Sequence, residues 1–66
     1  MKERIEIFQE LDFRFREIMQ TVNPELKSYR LLVFMQDVMR IFELPKKHDP
    51  MGMRFYFKAK TAWNEL

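Results

Sequence analysis

The chain has no cysteine. Disulfides and thiolate metal centres are therefore excluded, and with them two of the usual supports of a very small domain. A single histidine, His48, cannot build a zinc site without several carboxylates around it. A single glycine, Gly52, excludes a glycine-rich phosphate loop. The longest apolar run is the five residues Leu31–Met35, far short of the roughly 20 that cross a bilayer. Charges at Lys2, Glu3, Arg4 and Glu6 leave no apolar stretch behind the first methionine, so no secretory leader is expected. These absences predict a cytoplasmic protein with no cofactor, no metal and no membrane span.

Catalytic groups are equally scarce. An activated nucleophile needs a base beside it. The candidate nucleophiles are Ser28, Thr21 and Thr61, and His48 sits in a lysine-rich stretch away from all three. Glu3, Glu6 and Glu10 recur at helical spacing on a polar face, which reads as a solvated edge rather than an acid–base pair. No enzyme is expected, and no small-molecule substrate is evident.

What the 66 residues do contain is helical periodicity broken at three points: "NP" at 23–24, "LP" at 44–45 and "DPMG" at 49–52. The first segment, about residues 2–22, places Ile7, Phe8, Leu11, Phe15, Ile18, Met19 and Val22 on one stripe. Glu10–Arg14 and Asp12–Arg16 have the spacing of ion pairs along that helix. Asn23 is a good helix cap, and Pro24 suits the first helical position. The second helix, about 24–43, has apolar residues round more than half its circumference, including Leu32, Met39 and Ile41. Such a helix is expected to be the central, most buried one. Pro45 ends it.

Residues 44–51 read as a turn and loop. Asp49, Pro50 and Gly52 fit a type I turn, and Asp-Pro also fits the start of a helix. Beyond them, "MRFYFKAK" at 53–60 alternates like a strand while Phe55, Ala59 and Ala62 recur like a helix. A strand here has no partner within the chain, and a lone strand is unstable in water. It would need a second chain to pair with. We therefore read a helix over about 52–65, aligning Phe55, Tyr56, Ala59, Ala62, Trp63 and Leu66.

Charge is unevenly spread. Residues 1–22 carry net −1, residues 23–44 net 0 and residues 45–66 net +3. Lys46, Lys47, Arg54, Lys58 and Lys60 interleave with Phe55, Tyr56 and Phe57, a mixture that suits phosphates and stacked bases. The same excess on a short helix is also ordinary solubilising charge. A second anomaly is apolar side chains off the core stripes: Phe13 among Gln9, Arg16, Glu17 and Gln20 on the first helix; Val33 near Leu26, Tyr29 and Arg40 on the second; Phe57 on the third. One such residue on every helix suggests a second apolar surface. Of the six methionines, Met19, Met35 and Met39 fall on core stripes, whereas Met51 and Met53 flank the turn as adaptable contacts.

The expectation is an all-α single domain over 1–66: two long antiparallel helices with a shorter third packed across them, forming a small three-helix bundle that dimerises. Its expected function is protein–protein association, with itself or another protein, through Phe13, Tyr29, Val33 and Phe57. Nucleic-acid binding through 46–60 is the alternative.

Overall fold

Two side-chain caps organise the chain. Asn23 Oδ1 accepts from the Leu26 amide at 3.0 Å, and Pro24 follows at the first helical position. Asp49 Oδ1 accepts from the amides of Met51 at 3.0 Å and Gly52 at 3.1 Å, again with proline next. Each cap satisfies amides that a helix start would leave unpaired. The computed structural model describes residues 2–66 and resolves three helices between these marks: α1, Arg4–Met19; α2, Pro24–Ile41; and α3, Pro50–Asn64. Among the described residues there is no strand, and "MRFYFKAK" lies wholly within α3.

The boundaries differ from the periodicity in instructive ways. α1 ends at Met19, where the Gln20 amide turns back to the Glu17 carbonyl at 3.1 Å and the Thr21 amide to that of Ile18 at 3.0 Å. Val22, which continues the stripe on paper, lies beyond that end and is 95% exposed. α3 begins at Pro50, so Pro50 and Met51 belong to its first turn rather than to the loop.

α2 closes without a glycine. Glu43 takes a positive φ of 54°. The Leu44 amide reaches the Met39 carbonyl at 2.8 Å, and the Glu43 amide reaches that of Arg40 at 3.3 Å. These are the two bonds of a Schellman cap.

Pairings along the helices give the topology. The Phe15 ring lies 5.8 Å from Phe34, tilted to it, and Phe8 stacks on Phe42 at 6.1 Å, so α1 and α2 run antiparallel. The start of α3 meets the end of α2 at Gly52 and Phe42, and its end meets the start of α2 where Trp63 Nε1 donates to Ser28 Oγ at 2.8 Å. α3 therefore lies lengthwise along α2 and not across the pair. With 15 residues it is almost as long as α1, which has 16. Each helix is roughly 23–27 Å long.

The core is apolar throughout. Leu31, Phe34 and Val38 of α2 are fully buried, as expected of the central helix. Leu11, Phe15 and Ile18 meet them from α1, and Phe55, Ala59 and Ala62 from α3. Leu32, Met39 and Ile41 do not join that core; all three are exposed. α2 has a neighbour on only two of its sides, so its broad apolar coat cannot be buried completely within one chain. Trp63 is likewise held at the surface by its bond to Ser28.

Candidate interaction surface

The Schellman cap brings Leu44 back beside Met39, a contact that commonly accompanies this motif. Both then line one wall of a groove whose other wall is α3. Met39, Leu44, Pro45, Met53, Tyr56 and Phe57 enclose about 200 Å³. Tyr56 and Phe57 meet edge to face at 5.5 Å, a favourable aromatic geometry. Phe57 is 51% exposed. Its ring is the largest apolar body in the groove left open to solvent.

Of the four residues expected to contact a partner, only Phe57 belongs to this groove. Tyr29 and Val33 line a different one, of about 310 Å³, between α1 and α2 with Arg14, Glu17, Ile18 and Arg30. That space is crossed by internal polar contacts. Arg14 bonds Asp37 at 3.0 Å and lies over the Phe34 ring at 5.5 Å, while Arg30 donates to Thr21 Oγ1 at 3.1 Å. Val33 is half-buried there rather than projecting outward. Phe13 stands alone on the outer face of α1, 61% exposed.

The five basic residues are not one patch. Lys58 is turned onto α1, with Nζ 4.7 Å from the centre of the Phe15 ring and 3.8 Å from Asp12. Lys47 pairs with Glu43 at 2.5 Å, which raises its pKa. Lys60 lies about 160° round the helix from Lys58. Arg54 and Lys58 line a third recess with Asp12, Met51 and Phe55. Among the described residues, Lys46, Arg54 and Lys60 make no ion pair.

The hydroxyl groups that might have served catalysis are partly committed. Ser28 accepts from Trp63 and Thr21 from Arg30. His48 is exposed in the loop between α2 and α3. The predicted pair Asp12–Arg16 forms, but Glu10 pairs with Lys2 at 2.7 Å and Arg14 with Asp37 instead. The ends of α1 and α3 are joined by the ion pair Arg4–Asp49 at 2.5 Å. Arg4 and the Gly52 amide hold the Asp49 carboxyl below its usual pKa. Among the described residues no three histidine, aspartate or glutamate side chains are grouped to hold a metal ion, and no helix is long and apolar enough to cross a membrane.

The sequence pattern misses most of this groove. Met39 reads as core, and Leu44 and Pro45 read only as a helix stop. The available signals were the apolar coat of α2, too broad for two neighbours, and the adaptable Met53. Compared with known proteins, the chain matches no family model, no curated protein and no solved structure.

Proposed function

We propose that this protein is a non-catalytic interaction module, and that a partner protein docks in the groove around Phe57. The observation carrying this reading is a connected apolar cleft, lined by two methionines and two aromatics, on a chain whose own core is already closed. Methionines adapt to the shape of an incoming side chain, and aromatics make effective anchors. Next to the cleft in sequence are Lys46, Arg54 and Lys60, with no acidic partner among the described residues. The fitting occupant is an amphipathic helix with an aromatic anchor and acidic flanks. Its apolar face would lie in the cleft while its acids meet Lys46 and Lys60.

The test uses a synthetic helical peptide with one phenylalanine flanked by glutamates. Titration into methyl-labelled protein should move the Met39 and Met53 methyl resonances saturably and leave Met19 unmoved. Phe57→Asp should abolish the effect while retaining helical circular dichroism. A peptide of equal helicity with lysine flanks should bind at least tenfold more weakly. Unchanged Met39 and Met53 signals with the acidic peptide would refute the reading.

A further inference from the structure

We infer that the acidic helix fitting this groove is α1 of a second copy of the chain, with Phe13 as its anchor, so that molecules associate head to tail. This rests on the groove being the docking surface. Two surfaces on the page complement one another. At helical spacing, the outer face of α1 groups Glu6, Gln9, Phe13, Arg16, Glu17 and Gln20, and the charge of Arg16 is taken up by Asp12. All are exposed, and among the described residues neither Glu6 nor Glu17 makes an ion pair. Phe13 is thus an apolar knob between two uncompensated acids. The groove is an apolar hole close in sequence to two bases, Lys46 and Lys60, that make no ion pair among the described residues. Its volume of about 200 Å³ is ample for the knob; an apolar space of about 150 Å³ takes a benzene ring.

The geometry also sets the mode of assembly. α2 meets α1 through Phe34 and Asp37. Met39 lies about 140–160° round α2 from both, so the groove opens on the side of the bundle away from α1. Phe13 points outward from α1, in the opposite direction. One pair of molecules therefore cannot exchange both contacts across a two-fold axis. Each contact leaves a free knob at one end and a free groove at the other, which is a heterologous interface that grows into rings or filaments. A simple symmetric dimer is not what these surfaces make.

This arrangement has a diagnostic test. Wild-type mass by sedimentation should rise with concentration up to the order of 1 mM. Phe13→Asp removes the knob and keeps the groove; Phe57→Asp does the reverse. Each variant alone should be monomeric, with self-affinity weakened about thirtyfold or more. An equimolar mixture should recover one intact interface per pair and form a 1:1 complex that grows no further. Helical circular dichroism of each variant controls for folding. As a second, milder pair, Glu17→Lys and Lys60→Glu should each weaken growth and should pair when mixed. A strictly monomeric wild type overturns the inference. So does a Phe13→Asp variant that assembles normally, or a mixture that stays monomeric. The acidic-peptide titration separates the two levels: if the peptide binds the groove but the chain is monomeric, the docking surface stands and only self-association falls.

Discussion

At the scale of single residues, Gly52 shows most clearly how packing constrains sequence. A methyl group added there would sit 2.6 Å from Cβ of Phe42. Truncating Phe42 would not relieve the contact, because every residue except glycine carries that Cβ. The helices must separate instead, and such overpacking costs about 1–3 kcal/mol. Gly52→Ala should therefore destabilise the fold by that amount in urea melts, although alanine is the better helix former. Phe34→Ala should be worse. The ring is fully buried, packed by Phe15 and capped by the Arg14 guanidinium. Such a deletion costs about 3–5 kcal/mol. A domain this small has roughly 3–10 kcal/mol in total, so the variant should lose most of its helical signal at room temperature.

At the scale of elements, the chain ends of α2 and α3 respond to different variables. Glu43 holds a left-handed conformation that favours glycine. Glu43→Gly should raise stability by up to about 1 kcal/mol, because relief of the backbone outweighs the surface pair with Lys47. Asp49 makes the start of α3 sensitive to acid. Its folded pKa lies below the ordinary aspartate value because of Arg4 and the Gly52 amide. The unfolded chain therefore takes up the proton first as pH falls. The stabilisation is complete above the unfolded value, about 3.9, and is lost as pH drops through the folded one. Acid titration of thermal midpoints should show this decline, and Asp49→Asn should flatten it, since asparagine still caps but does not titrate. These element ends also mark what was legible in advance. The Asn-Pro and Asp-Pro starts are local chemistry, and both caps occur where the residues stand. The end of α1 is not legible, because its apolar stripe runs on to Val22 while the backbone turns at Gln20. The groove is less legible still. Met39 and Leu44 come together through a left-handed glutamate that no propensity favours, and Phe57 faces it only because α3 runs along α2.

At the scale of the whole molecule, the governing fact is that residues 2–66 form a thin bundle, 33 × 22 × 14 Å, with no cysteine to cross-link it. A chain of this length buries only about 60% of its unfolded surface, so its stability alone is marginal. The proposed association would then contribute to stability as well, since a contact made only by the folded state shifts the folding equilibrium by mass action. Head-to-tail assembly predicts a thermal midpoint that depends on protein concentration. A free concentration of one hundred times Kd adds about 2.7 kcal/mol, and in a domain this small each kcal/mol moves the midpoint by about 4–8 °C. Wild-type protein diluted from that regime to below Kd should therefore melt at least about 10 °C lower. Phe13→Asp and Phe57→Asp replace exposed side chains, so their intrinsic stability should lie within a few degrees of dilute wild type. Their midpoints should not move with concentration, while an equimolar mixture should regain part of the dependence. Differential scanning fluorimetry over a concentration series measures all four cases. A wild-type midpoint that stays constant while sedimentation reports growth would mean the contact forms equally well in the unfolded chain, and the folded groove would then have no part in it.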